Sequence, residues 1–526
     1  MKEENAVKNI RRFLLNALLL CGVSLLMRTV SVSFNVYVSN KAGAEAVGLY
    51  SLLSGVYGFA LTFATSGIHI TVVRMVTDAL GKNDHGSAAT ALRQCICYCL
   101  VFSGIASACL FFGADFIGTR LLSDARTIRS LRLLAFTLIP IALSTVFNGY
   151  FTAVRRVWKN AAVQVAEQAI RIASVSVLLS LLLPRGVEFA CASLALGGAI
   201  AECSSFLFSF LAFLHDRRKT VRPQRALRDS RSIRRTLLRT SLPIAFSAYA
   251  RSGLISIEHM LIPTGLCRSG LDRATALSSY GLLHSMALPI VLFPSALIGS
   301  FAGLLVPELT ECCTKSNTRQ IRYICERVSQ LAMLFSIGTA GIMICFSGEL
   351  GQVIYPGTDT ARYIRLLAPL IPIMYVDTTV DSMLKGLGDQ VYCMAVNILD
   401  SLLSVILVWL LLPRMGIMGY VVTVYVTEFV NFAFSVTRLI QKSGMLPKLV
   451  KWVSKPLLCI VGATCAAHLL FSFVTLPTLS GGLRLSVHIV TTALFYLALS
   501  VVTFGIDRED IRWALNIFRK ADASQR

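Results

Sequence analysis

The feature that most constrains this chain is a succession of apolar runs, each long enough to cross a lipid bilayer. A spanning helix needs about 20 mostly apolar residues. Because the bilayer core offers the backbone no water to bond with, such runs are predicted to be helical. The sequence therefore predicts an all-α integral membrane protein with about 14 transmembrane helices, at residues 13–38, 46–75, 88–114, 130–154, 160–183, 187–214, 237–262, 276–306, 324–349, 363–385, 389–412, 416–437, 453–475 and 483–505.

The charge content agrees with a membrane protein and excludes several other classes. Only 15% of the 526 residues are charged, whereas about a quarter are charged in soluble domains. The chain nevertheless carries 50 Lys and Arg against 28 Asp and Glu, a formal net charge of +22. A cytosolic enzyme, a secreted disulfide scaffold and a disordered chain are excluded. A nucleic-acid partner is not expected, because nucleic-acid binders are basic but not so apolar.

The distribution of basic residues predicts the orientation of the helices. With the N-terminus inside, about 35 Lys and Arg lie near the inner ends of the helices and about 12 near the outer ends. The basic excess of inner loops therefore predicts a multi-pass protein of the plasma membrane with both termini in the cytoplasm.

A weak repeat predicts the domain organisation. The segment Leu181-Leu-Leu-Pro-Arg185 recurs as Leu410-Leu-Leu-Pro-Arg414, six predicted helices later. Duplicated helical halves are common in secondary transporters. We expect two six-helix lobes, residues 1–214 and 237–440, joined by a basic cytoplasmic linker, residues 215–236. An extra transmembrane helix pair, residues 441–507, and a cytoplasmic tail, residues 508–526, are expected to follow.

Ionisable residues inside the predicted helices are candidates for function, because charges are costly to place in a membrane. Arg28 and Arg251 have no acidic residue three or four positions away, whereas Glu167 and Arg171 share one helix face. Two interpretations remain open, a hydrated cavity lined by these charges and internal ion pairing. His284 is interpreted as a hydrogen-bonded packing residue. The other candidates are Glu202, Glu258, Asp377, Asp381, Asp400 and Glu428.

Sequence motifs give no indication of an enzyme. The chain contains no H-E-x-x-H, no P-loop and no G-x-S-x-G segment, so the zinc, nucleotide and acyl-transfer chemistry of those motifs is not expected. Most of its 15 cysteines lie within apolar runs. They are interpreted as small packing residues. We therefore expect no catalytic residue, no metal and no organic cofactor.

Several short motifs resemble those of the stage V sporulation protein B group. This group belongs to the superfamily of oligosaccharide-lipid flippases, which also contains the lipid II flippases and the multidrug and toxin extrusion antiporters. The motifs span most of the first twelve predicted helices, and they are Asn40-Lys-Ala-Gly-Ala-Glu-Ala-Val-Gly-Leu-Tyr50, Tyr57-Gly-Phe-Ala-Leu-Thr-Phe-Ala-Thr-Ser-Gly67, Asn148-Gly-Tyr-Phe151, Glu167-Gln-Ala-Ile-Arg171, Ser279-Tyr-Gly281, Met286-Ala-Leu-Pro289, Leu305-Val-Pro-Glu308 and Leu384-Lys-Gly-Leu-Gly388.

The resemblance implies a bacterial flippase for an undecaprenyl-diphosphate-linked saccharide, such as a peptidoglycan precursor or a polysaccharide repeat unit. It implies alternating access of two lobes around a V-shaped central cavity, acting as a monomer among membrane lipids, in sporulation. By similarity to lipid II flippases, Arg28, Arg251 and Arg74 would face the head group of the polyprenyl-diphosphate-linked saccharide. A sodium site in some relatives corresponds to Glu258, Asn397, Asp400 and Thr427, so sodium or proton coupling is expected.

Two alternatives to this function stay open. A cation-coupled multidrug or metabolite antiporter of the same superfamily would have an acidic cavity, against which Arg28 and Arg251 argue. A non-transporting scaffold of cell-wall assembly would tolerate replacement of the cavity charges.

Overall fold

The computed structural model describes residues 2–82, 84–154, 156–220, 230–446, 449–473 and 481–504. Within these ranges the chain is helical and contains no β-strand, which confirms the predicted all-α class. The predicted tail 508–526 lies outside the described residues. The α-helices are α1 (Lys2–Thr65), α2 (Ile68–Gly81), α3 (His85–Phe112), α4 (Ala114–Phe116), α5 (Ile128–Ala153), α6 (Val157–Leu182), α7 (Val187–Thr220), α8 (Ser230–Arg268), α9 (Arg273–Tyr280), α10 (Leu288–Leu292), α11 (Ser295–Thr314), α12 (Thr318–Cys345), α13 (Ser347–Ile354), α14 (Thr360–Leu367), α15 (Ile371–Gly386), α16 (Gln390–Met415), α17 (Ile417–Ser443), α18 (Leu449–Phe473) and α19 (Gly481–Phe504).

In the described part of the chain, twelve helical segments are long and apolar enough to cross a membrane. The first of them, Leu26–Gly81, is 56 residues long and contains the end of the predicted span 13–38 and the whole of the predicted span 46–75. The predicted span 237–262 is not among the twelve. It lies within α8, which is rich in serine and contains Arg251 and Glu258. The multi-pass character is confirmed, and the count of 14 stays a prediction.

Two glycines interrupt the first long apolar segment. Gly43, inside α1, has φ 82°, and Gly67, between α1 and α2, has φ 76°, a region that glycine enters at little cost. A Cβ on Gly67 would also come within 2.7 Å of the Ser241 carbonyl oxygen. The break at Gly43 falls between the first two predicted helices. The break at Gly67 falls inside the predicted helix 46–75, so the prediction of one unbroken helix there is wrong.

The predicted helix 276–306 is also interrupted. The chain passes from α9 through a π-helical turn, Gly281–Ala287, into α10, and then breaks at Phe293–Pro294 before α11. Proline has no N–H to donate and its ring clashes with the preceding turn. Such turns leave carbonyl oxygens for side chains to satisfy, and this proves relevant to Arg28.

The described residues form two compact units by their internal contacts. Unit 1 comprises Met1–Val36, Met286–Val396 and Val424–Arg526, as far as they are described, and unit 2 comprises Tyr37–Ser285 and Asn397–Thr423. The predicted lobes 1–214 and 237–440 stay a prediction. Of the predicted linker 215–236, residues 215–220 continue α7 and residues 230–236 begin α8.

Unit 2 contains a close crossing between α1 and the π-helical turn. A Cβ on Gly281 would overlap the carbonyl oxygen of Ala44, and a Cβ on Gly48 would overlap that of Leu277. Small residues allow helix backbones to approach in this way. The crossing places the polar face of α1 against α8 and the turn that carries His284.

Unit 1 has a continuous apolar core to which the last two helices contribute. Ile460 of α18 and Tyr496 of α19 pack with residues of α11, α12 and α15. The Tyr496 hydroxyl donates a hydrogen bond to the Leu334 carbonyl oxygen, 2.7 Å away. This bond and the shared core attach the C-terminal pair to α12.

Candidate functional site

Arg28 lies beside the helix break in unit 1. Its side chain is exposed, and Nη2 donates to the carbonyl oxygen of Leu292, the last residue of α10, over 3.4 Å. The Tyr375 hydroxyl donates to the preceding carbonyl, that of Val291, over 2.5 Å. The break thus presents two carbonyl oxygens that orient Arg28 and Tyr375, and the long Arg28 contact leaves most of the guanidinium donors for another partner.

Arg251 and Arg74 belong to unit 2, and both side chains are exposed. Arg251 lies on α8 and interacts electrostatically with Asp400 of α16. Arg74 lies on α2. Among the described residues, no carboxylate is within salt-bridge distance of Arg28, Arg74 or Arg251. All three predicted head-group residues therefore present a guanidinium that forms no salt bridge within the described part of the chain.

A cavity of about 270 Å³ in unit 2 is lined by Ser252, the residue that follows Arg251 in α8, whereas Arg251 is not among its lining residues. Ser252 donates to Thr62 over 3.0 Å, and Ser256 donates to the Gly55 carbonyl oxygen over 2.6 Å. The hydroxyl oxygens keep lone pairs that can accept further bonds. The cavity is therefore polar but carries no formal charge, and its lining consists of Ser51, Ser54, Gly55, Gly58, Thr62, Ser252, Ile255, Ser256, His259 and His284.

Two histidines and a tyrosine form a cluster at this cavity. His259 Nδ1 is hydrogen-bonded to the Tyr280 hydroxyl. The His284 ring stacks on Tyr280 with centroids 5.2 Å apart and meets His259 edge-on at 4.7 Å. Nδ1 of His284 is buried and has no hydrogen-bond partner among the described atoms. His284 packs as predicted, but no hydrogen bond to this nitrogen is present in the described structure. Sequence reasoning missed the cluster because His259 lies on α8, with no spacing relation to Tyr280 and His284, which are four residues apart.

Arg171 is bound by two carboxylates in unit 2. Its Nη2 lies 2.9 Å from Glu167 Oε1 and 2.6 Å from Glu202 Oε1. Glu202 comes from α7, so the triad connects α6 to α7. The side chain of Arg171 is 30% exposed, that of Glu167 22% and that of Glu202 25%. Of the two interpretations of Glu167 and Arg171, this geometry favours internal pairing.

The predicted cation-site residues are divided between the units. In unit 2, Glu258 lies beside Ser404 and interacts electrostatically with Asp400, one turn beyond Asn397 on α16. Thr427 is buried in unit 1, and its hydroxyl donates to the Val424 carbonyl oxygen over 3.2 Å. Across the residues that the structure describes, no group of three or more His, Cys, Asp or Glu is arranged to hold a metal ion.

The two remaining predicted cavity charges have local partners in unit 1. Asn431 Nδ2 donates to Asp377 Oδ2 over 3.1 Å. Lys385 lies 2.7 Å from Asp381 within α15. These contacts satisfy part of each carboxylate, and a role in a cavity stays a prediction for both.

Carboxylates at two connections between helices are also held by cations. Asp124, before α5, binds Arg126 at 2.8 Å. Burial raises the pKa of Asp124, but the hydrogen bonds and charge of Arg126 outweigh burial and lower the pKa below its usual value. Asp389, between α15 and α16, lies 2.7 Å from Arg438 and 3.1 Å from Lys442. These two cations likewise outweigh burial and lower the pKa of Asp389.

Broken apolar helices, exposed arginines and a hydroxyl-lined cavity are features of a membrane transporter, and the fold agrees. The lipid II flippase MurJ, in an inward closed conformation, aligns with a TM-score of 0.69 over 92% of this chain and 99% of that chain, at 13% identity. An inward-facing multidrug resistance MATE family transporter of the MOP superfamily aligns with a TM-score of 0.63 over 81% of this chain and 99% of that chain, at 15% identity. The fold is that of MOP-superfamily transporters.

The family model described as "Polysaccharide biosynthesis protein" matches residues 13–306. The chain belongs to this family. Stage V sporulation protein B of Bacillus subtilis (strain 168) is 26% identical over 411 residues, covering 77% of this chain and 79% of that protein. Sporulation protein YkvU of the same organism is 20% identical over 385 residues, covering 72% of this chain and 83% of that protein. The resemblance predicted from the short motifs is confirmed, and the solved structures named above are transporters rather than enzymes.

Proposed function

We propose that this chain translocates an undecaprenyl-diphosphate-linked saccharide across the plasma membrane by alternating access, without covalent chemistry. The observation that carries the proposal is the neighbourhood of Arg251. An exposed guanidinium with no acid in salt-bridge distance directly precedes Ser252, which lines an uncharged cavity rich in hydroxyl groups. These groups are suited to the two parts of such a head group.

The diphosphate part requires cations with several donors. A guanidinium makes charge-assisted, often bidentate bonds to phosphate oxygens. Arg28 in unit 1 and Arg251 in unit 2 each offer such a group, and Arg74 offers a third. The saccharide part requires neutral donors and acceptors, which the serines, Thr62, His259 and His284 supply in unit 2.

The relatives support the same class of substrate. The family name refers to polysaccharide biosynthesis, one solved structure of similar fold is a lipid II flippase, and two relatives are sporulation proteins. We propose a peptidoglycan precursor or a polysaccharide repeat unit as the saccharide, and a role in sporulation.

Cation coupling is a second part of the proposal. Glu258 and Asp400 interact within unit 2, and Asn397 and Thr427 are the other predicted ligands. Two neighbouring carboxylates attract a sodium ion or a proton, which would couple transport to an ion gradient. The same pair is the observation that favours the cation-coupled antiporter as the alternative function.

Complementation tests the proposal. A strain depleted of its lipid II flippase would receive the parent chain, Arg28→Ala, Arg251→Ala or the control Arg319→Ala, which changes an exposed arginine of α12. We expect the parent and the control to restore growth and the first two variants to fail at equal membrane expression. Equal rescue by all four would contradict the head-group assignment. Export of cationic drugs in place of rescue would favour the antiporter.

A further inference from the structure

A second cavity lies in unit 1 where α18 ends and α19 begins. It measures about 510 Å³ and shares no residue with the hydroxyl-lined cavity of unit 2. The predicted topology places this end of both helices on the outer side of the membrane. The polar residues that line it are Glu349 and Gln352 of α13, His468 and Ser472 of α18, and Arg484 and His488 of α19.

The cavity contains opposite charges that do not neutralise each other. Glu349 and Arg484 are both exposed and both line it. Within the described ranges they form no salt bridge, with each other or with another residue. His488 lines the same cavity, so the cavity offers an anionic group, a cationic group and an imidazole ring to one ligand. This arrangement is complementary to a ligand that carries both signs of charge.

His488 contributes a buried ring nitrogen without a hydrogen-bond partner among the described atoms. The residue is 8% exposed. Its ring stacks on Phe471, with ring centroids 4.2 Å apart, and meets the ring of Phe346 edge-on, with centroids 4.7 Å apart. The nitrogen without a partner is Nε2. Leaving such an atom unsatisfied is unfavourable, and a hydrogen bond to a ligand atom in this cavity would remove that penalty.

The helix faces beside the cavity are apolar. Exposed large hydrophobic residues follow the polar ones on both helices, on α18 after His468 and on α19 around Arg484. A polar cavity bordered by apolar surface at the end of membrane helices fits an amphiphile whose head is polar and whose chains are apolar. The flanking residues are Leu469, Leu470, Phe473, Leu483 and Val487.

We propose that this cavity binds the head group of a zwitterionic phospholipid with a primary ammonium, of the phosphoethanolamine type. Glu349 accepts hydrogen bonds from the ammonium, and Arg484 donates to the phosphate oxygens. Nε2 of His488 bonds a polar atom of the head group. The site is a regulatory or structural lipid site, independent of the saccharide-linked substrate.

Binding of defined lipids to the purified full-length chain tests this proposal. Native mass spectrometry would measure the affinity for phosphatidylethanolamine, phosphatidylcholine, which lacks N–H donors, and phosphatidylglycerol, which lacks the ammonium. Removing a hydrogen bond to a charged group costs about 1.5–3 kcal/mol, which corresponds to about tenfold or more in affinity. We expect the parent to prefer phosphatidylethanolamine by at least that factor. This comparison needs no variant.

Variants then place the binding. Glu349→Gln, Arg484→Gln and His488→Phe should each lose the preference. Glu311→Gln, at a half-buried residue, and Arg319→Gln, at an exposed one, both elsewhere in unit 1, should keep it. If soluble phosphoethanolamine binds much more weakly than phosphatidylethanolamine, the natural ligand is a lipid. If it binds equally well and with the same dependence on the variants, the ligand of this site is a soluble zwitterion. Equal affinity for the three lipids, or an unchanged preference in all three cavity variants, would overturn the proposal.

Discussion

The triad of Arg171 with Glu167 and Glu202 allows a structural role to be separated from a transport role. Arg171→Met removes the cation and leaves two carboxylates facing each other. Breaking a buried ion pair costs about 3–5 kcal/mol, whereas an exposed pair contributes at most about 1 kcal/mol. Because the three side chains are 22–30% exposed, we expect a loss of about 2 kcal/mol, between these limits.

The assay is thermal unfolding of the purified protein in detergent, compared among three variants. Arg171→Met should unfold at a lower temperature than the parent. The triple variant Glu167→Gln, Arg171→Met, Glu202→Gln should recover most of the loss, since it leaves no uncompensated charge. Arg132→Met, which removes an exposed pair with Asp115 at 2.6 Å, should change little. Equal stability of Arg171→Met and the parent, or no recovery in the triple variant, would refute the pairing argument.

Two further predictions concern packing and pH. Gly281→Ala should strongly reduce the amount of folded protein, because the added Cβ would overlap the Ala44 carbonyl oxygen. The control Gly299→Ala should be tolerated, because open space surrounds Gly299. Equal yields of the two variants in size-exclusion chromatography would contradict the close crossing. Asp389 has a lowered pKa, so its stabilising contribution is present above the unfolded pKa of about 4 and is lost as the pH falls through the lower folded value. Asp389→Asn should therefore lower the unfolding temperature at pH 7, and this effect should become progressively smaller below about pH 4. The control Asp359→Asn, at an exposed pair, should show little pH-dependent difference in unfolding temperature from the parent. A difference between Asp389→Asn and the parent that stays constant across this pH range would contradict the assignment.

The sequence predicts the helical elements well because hydrophobic length is a local property. The runs around residues 88–114 and 416–437, for example, correspond to α3 and α17. The breaks were harder to predict. Gly67 adopts a left-handed conformation beside Ser241, and that requirement comes from packing with a distant segment.

The candidate site was predictable only in part, for the same reason. An arginine with no acid three or four positions away, such as Arg28, can be identified from the sequence. The bond from Arg28 to Leu292 cannot, because it joins residues far apart in the chain. The sequence spacing pointed to Glu167 as the partner of Arg171, but Glu202 is a second partner, on another helix. Tyr280 and His284 are four residues apart, but no sequence pattern relates His259 to them.

Transport of a fluorescent undecaprenyl-diphosphate-linked saccharide in proteoliposomes tests the central claim most directly. The measured quantity is the rate at which labelled head groups become accessible on the opposite face. We predict that the parent chain and Arg319→Gln accelerate this movement, and that Arg28→Gln and Arg251→Gln lose about tenfold or more of the parent's activity at limiting substrate, the amount expected for a lost charge-assisted hydrogen bond. Movement at the parent rate in both variants, or no acceleration by the folded parent chain, would contradict the account.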